Sequence, residues 1–303
     1  MAWWLRLIRF PNLVIVALTQ YLLFYALLLP AFEQAGFLPL LDPIHFFLLV
    51  LDTMLIAAGG YVINDYYDQA IDAQNKPGRQ IVGTRISGRQ ALLWYGSILL
   101  AGAMLALYLA IYVSNLSLFS IYPAACLLLW LYSRYWKKAL LLGNLTVAVF
   151  CALVAWIIWF AERGTVGRIA VEDPSAYSGL RFAIGLYLGY AFLSTLYREV
   201  IKDIEDADGD AQEQARTLPV LYGQKAAKIF SFGVGCLLLG LLLPLIELFW
   251  NSWALLGLGL LVILPLIFSF YLLWQAENRA QFHRLSQLAK FIMLGGILLL
   301  FFL

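Results

Sequence analysis

The chain has 303 residues, of which 63% are hydrophobic and only 13% are charged. A soluble domain carries about a quarter charged residues, so this composition excludes a soluble enzyme and indicates a polytopic membrane protein. The net charge of +2 indicates little by itself, and we expect no nucleic-acid partner. Cys126, Cys151 and Cys236 lie in apolar stretches without a Cys-x-x-Cys partner, which is typical of small buried hydrophobic residues.

Nine apolar segments follow one another, each near the length that crosses about 30 Å of hydrocarbon as a helix. They predict an all-α polytopic membrane protein, a bundle of nine transmembrane helices that forms a single domain over residues 1–303. Ser114 and Asn115 alone separate the third and fourth segments, which predicts a tight hairpin. The segments run over residues 10–30, 44–63, 91–113, 116–134, 143–161, 180–198, 226–249, 253–274 and 287–303.

Basic residues are concentrated on one side of this predicted bundle. With nine helices, the N-terminus shares a side with the loops near residues 64–90, 134–142, 199–225 and 275–290, and this side carries 17 of the 20 lysines and arginines. The positive-inside rule places it in the cytoplasm, with the N-terminus inside and the C-terminus outside. We therefore expect an integral protein of the cell membrane whose active site lies at the cytoplasmic face.

The first acidic motif ends the second apolar segment and contains Asn64, Asp65, Asp68 and Asp72. Its aspartates are spaced by three and four residues, so a helix would place them on one face. Three like charges on one face repel each other, and acidic residues at a helix C-terminus oppose the macrodipole. A bound cation is the natural compensation, and Asn64 adds an amide oxygen one turn before Asp68.

The second acidic motif follows the sixth segment and repeats this spacing with Asp203, Asp206 and Asp210. Glu205 and Asp208 fall off the shared face, and we expect both to be solvated. Each motif leads into a basic stretch with a Pro or Gly turn, so the chain contains a weak internal repeat with two pseudo-repeated halves. Membrane bundles with repeated halves usually place their site at the interface of the halves, so we expect the two acidic loops side by side.

Basic side chains that can bind phosphate oxygens lie among these acids. A third polar loop on the same side, residues 132–138, contains Tyr132 and Lys137. An interfacial aromatic belt with positive-inside charge would also explain this third loop. The candidates in the two acidic loops are Lys76, Arg79, Arg198 and Lys202.

The paired motifs resemble those of the UbiA superfamily of intramembrane prenyltransferases. The family pattern Asn-Asp-x-x-Asp-x-x-x-Asp is matched at residues 64–72, the pattern Asp-x-x-Asp-x-x-x-Asp at residues 203–210, and a Tyr…Lys loop at residues 132–137. Within the superfamily, residues 198–219 look most like the digeranylgeranylglyceryl phosphate synthase group of ether-lipid enzymes. One departure is Gln80, where many relatives have proline.

The resemblance implies Mg²⁺-dependent transfer of an isoprenyl group from a prenyl diphosphate to a lipophilic acceptor within membrane lipids, with no obligate protein partner. Mg²⁺ is the implied cofactor, and it neutralises the diphosphate as this group leaves. The implied metal ligands are Asn64, Asp65, Asp68, Asp72, Asp203, Asp206 and Asp210. The implied catalytic residues are Asp68, Asp72, Asp206, Lys137 and Tyr132, and the implied diphosphate ligands are Lys76, Arg79, Arg198 and Lys202.

Several functions remain open at this point. We expect geranylgeranyl diphosphate as the donor and geranylgeranylglyceryl phosphate as the acceptor in ether-lipid synthesis. An aromatic quinone precursor of the menaquinone or ubiquinone type is the alternative acceptor, followed by chlorophyll- or haem-type tails. A cation-coupled transporter is less favoured, because transporters place ionisable groups near the bilayer midplane and these acids lie at segment ends. A non-catalytic scaffold gives no reason for the repeated acid spacing.

Overall fold

The computed structural model describes residues 2–69, 80–212, 214–250 and 252–302. This part of the chain is helical apart from short connections, which confirms the all-α class. Its helices are α1 (Trp3–Leu7), α2 (Phe10–Gln34), α3 (Pro43–Tyr67), α4 (Gly88–Tyr112), α5 (Leu116–Arg134), α6 (Leu142–Ala161), α7 (Arg163–Glu172), α8 (Pro174–Gln212), α9 (Leu218–Leu248), α10 (Trp253–Gln275) and α11 (Arg279–Leu299), with π-helical turns inside α2 (Leu23–Leu28) and α10 (Gly259–Ile263).

Side-chain caps fix where α3 and α4 begin. At the start of α3, the Asp42 carboxylate accepts hydrogen bonds from the backbone N–H groups of Ile44 and His45, both at 2.9 Å. The bond from the His45 N–H holds the pKa of the Asp42 carboxyl below its usual value. Helix α4 begins after Ser87, which forms a reciprocal capping box with Gln90.

Eight helices of the described residues are long and apolar enough to cross a membrane, namely α2 to α6 and α8 to α10. The class of the protein is therefore confirmed, but the predicted count of nine spans is wrong by one. The ninth predicted segment, residues 287–303, is part of α11, which begins earlier and carries Arg279, Arg284 and Lys290. The apolar stretch after Lys290 falls short of the roughly 20 residues that a span needs.

Helix α8 contains the whole second acidic motif. It has 39 residues, which corresponds to about 58 Å and exceeds the hydrocarbon thickness of about 30 Å. Gly209 does not end the helix, which continues to Gln212. The three aspartates of this motif therefore share one face of a continuous helix, as their spacing predicts.

The chain divides into two compact units, neither of which is continuous in sequence. Unit 1 comprises Met1–Tyr21, Gly36–Lys137 and Ile157–Glu172, and in it α3 packs against α4 and α5. A Cβ atom added at Gly60 of α3 would lie 3.0 Å from the Leu129 side chain of α5. Glycine at this position therefore allows the two helices to approach closely.

Unit 2 comprises Leu22–Ala35, Lys138–Trp156 and Asp173–Leu303, and in it α8 packs along α9 and α11. Tyr190 of α8 donates its hydroxyl hydrogen to the backbone carbonyl of Ile292 in α11. This buried bond joins the apolar halves of the two helices. With the apolar halves joined in this way, the charged first turns of α11 lie beside the acidic end of α8.

Glu162, between α6 and α7, binds the segment that leads into α3, at Leu40 and Leu41, within unit 1. Its side chain is fully buried, and its two carboxylate oxygens accept the backbone N–H groups of Leu40 and Leu41 at 2.8 and 2.9 Å. Burial raises the pKa of this carboxyl, although these bonds to the charged form oppose the rise. Nothing in the spacing of Glu162 along the sequence predicts this contact.

Candidate active site

The first acidic motif lies at the C-terminal end of α3 in unit 1. Asn64 and Asp65 belong to the last turn of the helix, and Asp68 follows it as the C-cap residue. The side-chain amide nitrogen of Asn64 donates to Asp68 Oδ2 at 2.8 Å, so the Asn64 carbonyl oxygen stays available as a ligand. Three predicted site residues, Asp72, Lys76 and Arg79, lie outside the described residues.

Two cations from other parts of unit 1 contact this motif. Lys137, in the one-turn 3₁₀ helix Trp136–Lys138, pairs with Asp68 Oδ1, and both side chains are largely buried. Arg9 lies 3.2 Å from Asp65 Oδ1. The structure thus brings the predicted Lys137 to the predicted Asp68 across 69 residues, and it adds Arg9, which the sequence analysis did not single out.

Tyr132 lies half-buried in the last turn of α5, in the same unit as Lys137. Two of its neighbours on this turn contact α3, which places the turn beside the first motif. Trp130 donates its indole N–H to the Tyr67 hydroxyl at 3.0 Å, and the Arg134 guanidinium lies 5.4 Å from the centre of the Tyr67 ring.

Each aspartate of the second motif has a donor partner from another part of unit 2. Asn144 of α6 donates its side-chain N–H to Asp203 Oδ2 at 2.9 Å, and Thr217, at the start of α9, donates its hydroxyl to Asp210 Oδ2 at 3.1 Å. Each of these neutral partners binds one oxygen and orients the carboxylate without cancelling its charge. Asp206 is contacted by an arginine, which is described below.

The expectation that Glu205 is solvated is wrong. Its side chain is only 13% exposed, and it accepts hydrogen bonds from His283 Nδ1 at 2.7 Å and from the Ser286 hydroxyl at 2.9 Å. Asp208 is exposed, as expected. The physical reason is that α11 covers the side of α8 that carries Glu205, and helical spacing alone does not reveal such a neighbour.

A basic cluster precedes the second motif on α8. The guanidinium of Arg198 lies 2.5 Å from one oxygen of Glu199, and Lys202 Nζ lies 3.9 Å from the other. Within the described residues, the buried Nε–H of Arg198 has no hydrogen-bond partner. A buried donor without a partner is costly, and a phosphate oxygen is an acceptor that suits an arginine.

The donor set of both motifs consists of carboxylate and amide oxygens, the ligands that Mg²⁺ prefers. Among the described residues, no three Asp, Glu, His or Cys side chains already form a group that could hold a metal ion. Mg²⁺ is usually bound by only one or two carboxylates and takes its remaining ligands from water and substrate phosphates. The described residues of the two motifs therefore fit Mg²⁺ that is bound through one or two carboxylates and takes its remaining ligands from a diphosphate and water.

The sequence model of the UbiA prenyltransferase family matches residues 22–294, which is most of the chain. The chain belongs to this family. It is therefore an integral-membrane prenyltransferase, as the resemblance of its acidic motifs predicts.

Curated relatives and a solved structure agree with this family membership. The chain is 34% identical over 245 residues to digeranylgeranylglyceryl phosphate synthase of Methanosphaera stadtmanae, covering 80% of this chain and 81% of the relative. It is also 34% identical over 248 residues to the synthase of the same name from Thermococcus kodakarensis, covering 80% and 79%. A solved structure from a study of digeranylgeranylglyceryl phosphate synthase in membranes shares the fold, with a TM-score of 0.68, 24% identity and coverage of 99% and 98%.

Proposed function

We propose that residues 1–303 act as one domain that transfers a geranylgeranyl group from geranylgeranyl diphosphate to geranylgeranylglyceryl phosphate. The bond from C1 of the prenyl chain to its diphosphate oxygen breaks, and the bonding electrons leave with the diphosphate. The acceptor hydroxyl oxygen forms the new ether bond to C1 and loses its proton to solvent. The observation that carries this proposal is the 34% identity, over 80% of the chain, to synthases named for this product.

The two acidic motifs are the proposed metal-binding residues of this reaction. Mg²⁺, when bound, would neutralise the oxygens of the leaving diphosphate. The hydrogen bonds from Asn144 and Thr217 support this role, because each orients a carboxylate through a neutral donor and leaves its negative charge uncancelled. The proposed ligands are Asn64, Asp65, Asp68 and Asp72 in the first motif and Asp203, Asp206 and Asp210 in the second.

The cations near the motifs are the proposed diphosphate ligands. Glu199 holds Arg198 and Lys202 in one cluster, and the buried Nε–H of Arg198 supports a role in binding a phosphate oxygen. Lys137 would neutralise charge on the diphosphate from its position beside Asp68. Lys76, Arg79 and Tyr132 are included on the strength of the family resemblance.

The proposal is tested by incubating the purified protein with geranylgeranyl diphosphate, geranylgeranylglyceryl phosphate and Mg²⁺, and identifying the lipid product by mass spectrometry. We expect the diether phosphate and one diphosphate per product, no turnover in excess EDTA, and recovery when Mg²⁺ is restored. Turnover that persists in EDTA would contradict the metal assignment. Product formation only with an aromatic quinone precursor would contradict the acceptor assignment and leave prenyl transfer intact.

We also propose that both motifs face the cytoplasm, because the ends of α3 and α8 that carry them lie on the side with 17 of the 20 basic residues. Single cysteines at Gln74→Cys and Gln212→Cys, in a chain freed of its natural cysteines, should react with an impermeant maleimide only in inside-out vesicles. Val171→Cys, an exposed residue of α7, should show the opposite pattern. Labelling of Gln74→Cys and Gln212→Cys from opposite sides would contradict the proposal.

A further inference from the structure

Asp206 of the second motif is paired with Arg279, which belongs to neither acidic motif nor to the basic cluster of Arg198 and Lys202. Arg279 Nη2, at the first position of α11, lies 3.5 Å from Asp206 Oδ1. The two side chains are 77% and 45% exposed. An exposed pair at this distance adds little to stability, so stability gives no reason for an arginine at this position.

The backbone that carries Arg279 is held on both sides. Asn278 caps α11 by accepting the backbone N–H of Gln281 at 3.1 Å, and the Gln281 side chain accepts the Asn278 N–H at 3.2 Å in return. Just before the cap, the carbonyl of Ala276 accepts a hydrogen bond from Lys228 Nζ at 2.6 Å. These bonds fix the backbone at Arg279, so little backbone freedom is lost there when the side chain binds a ligand.

The first turns of α11 are also fastened to α8 beside the motif. His283 and Ser286 both bind Glu205, which precedes Asp206 in the sequence. His283 follows Arg279 by one helical turn, so the contacts of Glu205 fix the direction from which Arg279 reaches the motif. These contacts are independent of the pairing between Arg279 and Asp206.

We propose that Arg279 is a further diphosphate-binding residue, which pairs with Asp206 before the substrate arrives and binds a phosphate oxygen once Asp206 serves as a metal ligand. This inference rests on the function proposed above. A carboxylate oxygen that coordinates a metal has less charge to offer a guanidinium, whereas a diphosphate beside it presents several acceptors that match the arginine fork. Lys137 on Asp68 is the corresponding arrangement in the first motif.

The proposed role of Arg279 predicts that its substitution weakens the binding of a diphosphate analogue but does not weaken the binding of the metal ion. At saturating Mg²⁺, Arg279→Ala should bind a non-hydrolysable geranylgeranyl diphosphate analogue about tenfold more weakly than the wild type, because a charge-assisted hydrogen bond is lost. Binding of Mn²⁺ alone, followed by electron paramagnetic resonance, should be weak in the wild type because the diphosphate that completes the site is missing, and it should be unchanged or tighter in Arg279→Ala because a competitor for Asp206 is gone. Arg279→Lys should recover part of the affinity for the analogue.

Arg284→Ala is the matched control, because Arg284 is an exposed arginine of the same helix that the site does not use. It should bind both probes as the wild type does. Wild-type affinity for the analogue in Arg279→Ala would overturn the inference, as would equal weakening of Mn²⁺ and analogue binding, which indicates a merely structural role. A wild-type protein that binds no prenyl diphosphate analogue at all would contradict the proposed function instead.

Discussion

Asp206→Asn is expected to lower turnover at least about 100-fold, because it removes a charge that a divalent cation and its diphosphate require. Asparagine keeps the volume of the side chain and one of its oxygens, so a loss of turnover would be due to the missing charge and not to a change of shape. Asp206 shares a face of α8 with Asp203 and Asp210. The measurement is kcat, and KM for the prenyl diphosphate, at saturating Mg²⁺.

Asp208→Asn is the matched control for this prediction, since Asp208 lies two residues away on the same helix, is exposed and falls off the shared face. It should leave turnover unchanged. Both variants should unfold thermally at the wild-type temperature, because Asp206 is nearly half exposed and its pair with Arg279 is weak. An equal loss of turnover in the two variants would indicate a general effect of surface charge and contradict the metal-binding role of Asp206.

Glu162→Ala is expected to lower the free energy of unfolding by about 2–4 kcal/mol, the largest stability effect that we predict. The substitution leaves the backbone N–H groups of Leu40 and Leu41 without their acceptors inside the protein, and each unpaired buried donor costs about 1–3 kcal/mol. Glu162→Gln keeps one acceptor oxygen and should lose less. Denaturant or thermal unfolding in detergent micelles measures both changes.

The same carboxyl predicts a pH dependence of stability. Burial raises the pKa of Glu162 in the folded state above its ordinary value of 4.5, so the folded state binds a proton more tightly than the unfolded state does. The stabilisation from this proton is complete below pH 4.5 and is lost as the pH rises through the raised value. The wild type should therefore lose stability over this range relative to Glu162→Gln, which carries no titratable group there.

Glu172→Gln is the control, because it removes an exposed carboxyl of the same unit. Its unfolding should follow the pH dependence of the wild type. Identical pH profiles for Glu162→Gln and the wild type would show that folding leaves the proton affinity of Glu162 unchanged, and this result would contradict the predicted pH dependence.

Side-chain placement across helices was the part that the sequence analysis could not supply. Asn144 reaches Asp203 across 59 residues, and Arg279 reaches Asp206 across 73. Glu205 was expected to be solvated and is instead bound by Ser286, 81 residues further along the chain. The period of a helix tells which residues share a face, but it does not tell which distant helix covers that face.

The sequence by itself determined the membrane class, the family and the shared face of the three aspartates on α8. Bilayer thickness fixes the length and apolar character of a spanning segment, and the helical period fixes which residues lie together, so both can be read along the chain. Only the tertiary structure showed that α11 begins with charged turns beside the acidic end of α8, and that Glu162 is buried against Leu40 and Leu41. These contacts depend on how helices distant in sequence pack together, and packing is decided by the whole set of side chains at once.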